Sequence, residues 1–592
     1  MERFGARKLT RLRDAVAHHY VQLGDVRKQR DRLLRTAAGS LYPHSRDQDR
    51  GLQDLLNMMR QAAEAMTLSM AANQPRFLAV PKNINQRPFA EHFERALNAY
   101  ARQMHLEEIL QECVRNAFFG LGIAKVFMSD SVAVEIEADE WMDPGRPFVQ
   151  SISPHHFVYD TNATDFRFCS FMADRYRVRY EDVVHDKRFS AEARQEMRQQ
   201  GPQSVHEVEQ EEWGSSLDGA SHGDSQFEDY LYLTDVFLPK DSLILTFVCD
   251  GAFKFRTEKP IYTQTWEGEE AGPYHFLNLG PVPDKITPSS PAQNLLLLHD
   301  LVNSVYRKLK DQAERQKQVW LGDAGQEDDL RKILDAADGS GLTVAQPESI
   351  KQVRYDGPDQ NNFGFVLNAL GLFSKQAGNL EAKLGLGAQT GTARQEAMVG
   401  NNVSRVEAHY QNQFVKFVRR IAKSLSRLLF EDNVTQIDMS LRVPGTDYEV
   451  DDHWLGGIQD GAREGDITDY EVSIDPYSMR YRDPSQRLAE LDATVDRMMP
   501  AMPLLQQQGV QLNLQHYLKM RAKYSDLPEI EELFEFNQNP PEQQQQGGSH
   551  ERTLPGSSNR QYQYSGVSQA DATQDPQQQM AMMAPPGGAN LG

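Results

Sequence analysis

Four features of this 592-residue sequence could carry chemistry, and each meets a physical objection. The run Gly385-Leu386-Gly387-Ala388-Gln389-Thr390-Gly391 has the composition of a phosphate-cradling loop. Its spacing is G-x-G-x-x-x-G, however, and the residues before it read as a helix, where the dinucleotide fingerprint needs G-x-G-x-x-G after a strand. No G-x-x-x-x-G-K-[ST] loop occurs anywhere. His155-His156 could be a metal pair, yet adjacent residues of a strand point to opposite faces. Cys113, Cys169 and Cys249 lie far apart, without the spacing of a disulfide framework or a thiolate zinc site. Acidic pairs such as Asp328-Asp329 and Asp451-Asp452 are numerous because the chain holds 84 acidic residues, and no spacing aims two carboxylates at one point. A G-x-S-x-G elbow and an H-E-x-x-H helix are both missing. These residues point away from an enzyme, and no metal or cofactor is expected.

Charge narrows the function further. The net charge is −21, but residues 1–35 hold ten Lys/Arg against four Asp/Glu, a local +6 that leaves −27 for the rest. Nucleic-acid binding over a broad surface depends on cations that displace counterions, so this body should not grip a phosphate backbone. A polymerase, nuclease or repressor is disfavoured; a protein past which DNA slides is not. With 39% hydrophobic residues the chain can bury a core, while a mean hydropathy of −0.62 leaves much of it in water. No stretch approaches the ~20 apolar residues of a membrane span, the N-terminus lacks a signal peptide's apolar segment, and the cysteine pattern fits a reducing cytoplasm.

Residues 7–35 and 47–72 read as helices, the first basic and the second rich in core-type methionines (Met58, Met59, Met66, Met70). A third helix is expected over 88–119, ending at Gly120. From about 121 to 290 the texture becomes short strands (Ile123–Met128, Val132–Ile136, Phe148–Ile152, Phe157–Tyr159, Phe168–Tyr180, Tyr230–Leu238, Leu243–Cys249). The acidic, Gly/Ser-rich run 199–225 reads as a surface loop.

Beyond Pro288, Leu295, Leu298, Val302, Val305, Leu309 and Ala313 form an apolar seam near the heptad period. A small segment follows to about Pro358, with a short helix at 327–337 and strand-like runs at Gly341–Val344 and Ile350–Tyr355. A second seam then steps through Phe363, Val366, Leu370, Phe373, Ala377, Leu380 and Leu384. Two such helices pack at a shallow angle, on each other as an ordinary hairpin or on neighbouring copies. After Gly385–Thr392 comes a very long helix, about 393–430, with Val399, Val403, Val406, Tyr410, Phe414, Phe417, Ile421, Leu425 and Leu428 on one face. Strands and acidic turns occupy 434–480 and further helices 484–536. Residues 538–592, with twelve Gln among Pro, Gly and Ser, read as a disordered tail.

This order of helix, small insert, helix, glycine-rich loop and very long helix resembles the portal (head-to-tail connector) proteins of tailed bacteriophages. SISPHHFVYD (151–160) is similar to the family's wing, and PSSPAQNLLLLHDLVNSVYRKLKDQAERQ (288–316) to its stem entry, with Asn303 and Arg307 at typical positions. TGTARQEAM (390–398) is similar to its junction between loop and long helix. The resemblance covers roughly 90–535 and rests on the ordered combination of elements.

The resemblance implies an α+β portal fold: an N-terminal helical region (1–120), a β-rich wing (121–287), stem helix one (288–320), a clip (321–360), stem helix two (361–384) and a tunnel loop (385–393). The long helix and second part of the wing (394–483) and a helical crown (484–537) would complete it. It implies a dodecameric ring packed through Leu298, Val302, Val305, Leu309, Phe363, Val366, Leu370, Phe373, Ala377 and Leu380. Gly385, Leu386, Gly387, Ala388, Gln389, Thr390, Gly391, Thr392 and Arg394 would face double-stranded DNA that passes without sequence readout. The partners would be the terminase motor, tail adaptor proteins and the major capsid or scaffolding protein. Its place would be the capsid vertex of the virion, and the host cytoplasm during assembly, with no membrane. Another virion structural protein, such as a tail adaptor or scaffold, is the alternative; a nucleotide-binding enzyme built on GLGAQTG is a more distant one.

Overall fold

The computed structural model describes residues 5–39, 56–129, 134–137, 140–142, 145–202, 228–250, 253–269, 271–321, 323–337, 339–344, 347–355, 357–378, 405–432, 434–442, 449–454, 465–475, 478–479, 484–501, 517 and 521. Helices and antiparallel sheets are segregated within it, an α+β arrangement.

The basic N-terminal segment is two helices, α1 (Ala6–Gln22) and α2 (Gly24–Ala38). The joint, Leu23, is buried in a hydrophobic cluster of the β-rich region, and the helix former weakest in this stretch, Gly24, follows it. In α3 (Met58–Met70) the four methionines are buried, and the Asn57 side chain caps the helix by accepting from the Arg60 N–H at 3.0 Å. The single helix expected over 88–119 is two, α4 (Arg87–Gln103) and α5 (Leu106–Phe118). They meet at His105, held at φ +52°, so the chain turns between Met104 and Leu106, both buried.

The β-rich region holds two sheets. One is three-stranded, in the order β11 (Tyr274–Leu277), β2 (Gly122–Ser129), β5 (Arg146–Ile152). The other is five-stranded, in the order β10 (Tyr262–Thr265), β9 (Leu243–Val248), β8 (Tyr230–Leu238), β7 (Met172–Arg179), β6 (Phe157–Tyr159). The short pair β3 (Val134–Glu137) and β4 (Glu140–Met142) and the helices α6 (Tyr180–His185) and α7 (Ala191–Gln200) complete it. The acidic run expected as a loop begins inside α7, and residues 203–227 lie outside the described residues.

One buried charge cluster joins the two sheets. Lys125 of β2 donates to both oxygens of Asp174 on β7 (2.9 and 3.0 Å) and to Asp235 on β8 (2.9 Å). Asp174 and Asp235 are direct cross-strand partners, so without a cation two like charges would face each other in the interior. Tyr274 also donates to Asp174, and Tyr176 (3.1 Å) and Thr246 (2.7 Å) donate to Asp235, so each carboxylate accepts three hydrogen bonds from these groups. Burial disfavours the Lys125 ammonium, but the two carboxylates outweigh it and raise its pKa above the ordinary lysine value.

The rest of the core is helical. The long helix α11 (Arg405–Glu431) buries Phe414, Phe417, Ile421, Leu425 and Leu429 over strands β2, β5, β11 and β16 (Tyr470–Asp475), the last paired with β1 (Arg76–Pro81), and its Phe430 meets Phe89 and Phe93 of α4. β14 (Ile437–Arg442) pairs with β15 (Glu449–Trp454), and Asp452 of the Asp451-Asp452 pair receives His92 (3.3 Å) and Arg95 (3.4 Å) of α4. A further helix, α12, spans Pro484–Met498. Residues 522–592, including the Gln-rich tail, lie outside the described residues. Three helices between Pro291 and Gln376, α8 (Pro291–Arg315), α9 (Glu327–Asp335) and α10 (Gln360–Gln376), belong to the candidate site.

The charge cluster gives a direct expectation. Lys125→Met should lower the unfolding free energy by about 3–5 kcal/mol, because it leaves two facing carboxylates without a counter-ion. The triple variant Lys125→Met/Asp174→Leu/Asp235→Leu should recover most of that loss. Denaturant titration checks both, and a single-variant loss near zero would mean that the lysine does not hold the sheets.

Candidate functional site

The site that sequence and fold single out is a helical hairpin. Its first helix, α8 (Pro291–Arg315), starts with proline at its first position and with Ser290 as cap, whose hydroxyl accepts from the Gln293 N–H and donates to the Phe118 carbonyl at 2.8 Å. Its partner, α10 (Gln360–Gln376), is capped by Asp359, whose carboxylate accepts from the Asn361 N–H at 3.0 Å. The Asp359 N–H in turn donates to the Gln312 side-chain oxygen at 3.1 Å, so the far ends of the two helices are tied.

Between them, β12 (Lys317–Leu321) and β13 (Lys351–Tyr355) pair antiparallel from Lys317↔Tyr355 to Leu321↔Lys351, with the short helix α9 (Glu327–Asp335) in the connection. This corrects two expectations. The first helix stops at Arg315, so 317–321 belongs to the insert, and Gly341–Val344 is not a strand. The partner of β13 is the extended run that leaves the helix, an antiparallel hairpin closing across the insert.

The hairpin is fixed to the body at one residue in particular. Asn303, fully buried, accepts from the Leu56 N–H and donates to the Leu56 carbonyl, both at 3.0 Å. It thereby satisfies both polar groups of a backbone that no helix or strand pairs at that point. Arg32 of α2 adds an exposed ion pair to Asp300 at 3.1 Å. Arg307 is half-buried on the same helix.

The seam residues divide cleanly. Val302, Leu309, Val366 and Phe373 are buried within the single chain, and Leu298, Val305, Leu370 and Ala377 are half-buried against the same core. Most of the seam is therefore spent inside the protomer, as in an ordinary hairpin. Phe363 is the exception at 50% exposed. The helix α10 ends at Gln376, and Gly378 takes φ +84°, a left-handed stop; Leu380 lies outside the described residues. Gly385, Leu386, Gly387, Ala388, Gln389, Thr390, Gly391, Thr392 and Arg394 likewise lie outside the described residues.

The outward face was not identified from the sequence. On α10, Phe365 and Leu372, seven residues apart, are 48% and 54% exposed, with Leu367 exposed beside them. On α8, Leu297 (78% exposed) and Leu301 follow the same helical face. Lys375 is the one charged residue of the seventeen in α10. The signal was there to read: a helix apolar on all sides is a buried helix, and this one buries a single side. Beside it, at the Pro291 end, an uncharged cleft of about 740 Å³ is lined by Met66, Leu295, Leu296, Leu297, Ala377 and Tyr410, among others.

His155 and His156 do not form a metal pair. They sit in a single 3-10 turn (Pro154–His156) capped by Ser153, and each has its own partner: Asp31 lies 3.0 Å from His155, and Arg175 lies 2.9 Å from His156. Burial lowers both pKa values, and the neighbouring Arg175 helps take His156 down to about 3.

No family model matches the chain, and no curated protein matches it either.

The division of the hairpin into inner and outer faces is testable in the unassembled chain. At concentrations too low for association, Phe373→Ala should cost about 3–5 kcal/mol of stability through the cavity it leaves. Leu372→Ala, one residue earlier, should stay within about 0.5 kcal/mol of the parent. Equal losses would mean that the two side chains share one environment.

Proposed function

We propose that the chain is the portal protein of a tailed bacteriophage, a ring subunit around the channel through which double-stranded DNA is packaged, retained and ejected. The observation that carries this reading is the hairpin: two antiparallel helices tied at their far ends, interrupted by a small strand-paired insert and followed by a long helix, with an apolar outer face. In this reading α8 and α10 are the stem, the insert is the clip, the two sheets are the wing, and 484–537 is the crown.

The outer face suits a ring. Head-to-tail contacts in a closed ring join unlike faces of adjacent copies at the same height along the axis. Leu372 and the uncharged cleft are both near the Pro291/Gln376 end of the hairpin, so knob and hole are level. Burying one such leucine or phenylalanine contributes about 1.5–3 kcal/mol, and every subunit repeats the gain. Gly364 and Gly371 support the same reading, since a Cβ added at either meets nothing within 4 Å of the single chain. Glycine there costs the helix about 1 kcal/mol relative to alanine, a cost without return unless another backbone comes close.

The acidic body, the hydroxyl- and amide-bearing loop 385–392 and the scarcity of cations before Arg394 suit a conduit that touches phosphate without holding it. The packaging motor and tail adaptors would meet the clip end. The major capsid or scaffolding protein would surround the ring in the virion, after assembly in the host cytoplasm.

Two results test this reading. In sedimentation, the parent should run as a large ring, and Phe365→Asp/Leu372→Asp should run as a folded monomer with unchanged thermal stability; normal rings from the variant would remove this face from the interface. In assembled particles, deleting 386–391 should leave rings intact and shorten the packaged DNA, whereas full-length genomes would show that the loop does not face DNA.

A further inference from the structure

The Lys125–Asp174–Asp235 cluster has the parts of a reaction centre as well as those of a clamp. On a protein surface a lysine and an aspartate meet without consequence, because water solvates both. Here Lys125 is 6% exposed and Asp174 4%. The rings of Phe127, Tyr176 and Tyr274 surround the Lys125 Nζ at 5.4, 5.3 and 5.7 Å. The same nitrogen lies 2.9 and 3.0 Å from the two oxygens of Asp174, and so opposite the carboxyl carbon between them. A nucleophile and an electrophile held in this way react as if at an effective concentration on the order of 10⁵ M or more.

The two carboxyl groups have different surroundings. Asp174 accepts a hydrogen bond from Tyr274, whereas Asp235 accepts from Tyr176, Thr246 and, at 2.9 Å, the Lys125 Nζ. Burial raises the Asp174 pKa against the pull of Lys125. One ammonium and two carboxylates together leave a net negative charge in the interior, and a proton on Asp174 removes it. The cluster then holds an ammonium, a base and a neutral carboxylic acid in mutual contact.

We propose that Lys125 and Asp174 condense into an amide bond, with Asp235 as the base that frees the amine. The Lys125 ammonium passes a proton to Asp235, and the amine attacks the Asp174 carbon after that carboxyl group turns its face towards Nζ. Tyr274 hydrogen-bonds an oxygen of Asp174, where negative charge develops. Asp235 then takes a second proton from the nitrogen as it returns the first to the Asp174 hydroxyl, which leaves as water. A C–N bond forms, a C–O bond breaks and nothing is oxidised; the products are a secondary amide, one water and a neutral Asp235. No charge then remains in the cluster, which favours the product in an interior that solvates ions poorly. The bond ties β2 of one sheet to β7 of the other across 49 residues of sequence, in a chain whose three cysteines are free. It constrains the unfolded chain as a disulfide would. The chemistry needs only one copy of the chain, so it stands whether or not copies form rings.

Intact mass and tryptic mapping of the purified full chain test the proposal. The parent should be lighter than its sequence by one water, either as purified or increasingly during incubation at growth temperature. Trypsin should fail to cut after Lys125 and should release a branched peptide that carries Phe168–Arg175. Asp235→Asn keeps the Lys125–Asp174 ion pair, so its circular dichroism should match the parent's, while the branched peptide forms about 100-fold more slowly. Lys125→Met should keep its full mass. A parent of full mass after incubation overturns the proposal. So does a water loss without the branched peptide, the result that an aspartyl succinimide would give. A branched peptide that forms as fast in Asp235→Asn as in the parent overturns the assignment of Asp235 as the base.

Discussion

A seventeen-residue helix with one charged side chain cannot rest with one face buried and the other in water at no cost, and α10 is in that position in the single chain. Its inner face, Val366 and Phe373, is committed to the protomer core; its outer face, Phe363, Phe365, Leu367 and Leu372, is not. The arrangement of the hairpin follows from this division. The inner face sets the pairing with α8, the caps at Ser290 and Asp359 set where the helices begin, and the outer face demands a partner of similar chemistry. In the proposed ring, a second copy of the same hairpin would supply one.

In the proposed ring, a face that meets a neighbour at a fixed height would have to be held by a body that does not yield. Asn303 clamps α8 to the Leu56 backbone through two hydrogen bonds, and Ser290 ties its start to the last turn of α5. Beneath α5, the Lys125–Asp174–Asp235 cluster locks one sheet to the other. A buried ion group of this kind adds little net stability compared with a well-packed apolar group, but its geometry tolerates one alignment of the strands. The α1–α2 segment is anchored onto the β-rich region as well, through Leu23, the His19–Thr161 contact at 2.7 Å and the Asp31–His155 pair. The hairpin thus projects from a stiff platform rather than swinging on a linker.

Much of this was legible in the sequence because it is periodic. The strands at Phe157–Tyr159 and Tyr230–Leu238, the methionine helix, the two seams and the long helix all announce themselves by spacing. What was not legible depends on contacts between distant segments. The breaks at Leu23 and His105 interrupt helices whose apolar pattern runs on, and Leu23, Met104 and Leu106 are buried there. The stop at Gly378 was present as a glycine but masked by a seam that continues in register through Leu380. Among the site residues, the seam pointed to side chains that the protomer buries for itself, and the outward Phe365 and Leu372 fell outside it. The clearer signal was the absence of charge across Gln360–Ser374. The ion cluster had a weaker one: a lysine within Ile123–Met128 and an aspartate within Tyr230–Leu238, each a charge placed in an apolar strand where only a buried partner accounts for it.

The central claim is that the outer face of the hairpin closes copies of this chain into a ring with an axial channel. Electron microscopy of the purified full-length protein tests it most directly. The account predicts closed rings viewed end-on, each with a central hole, and side views in which paired rod-like densities from every subunit surround the axis. Monomers at micromolar concentration, or compact two-fold dimers without a channel, would contradict it.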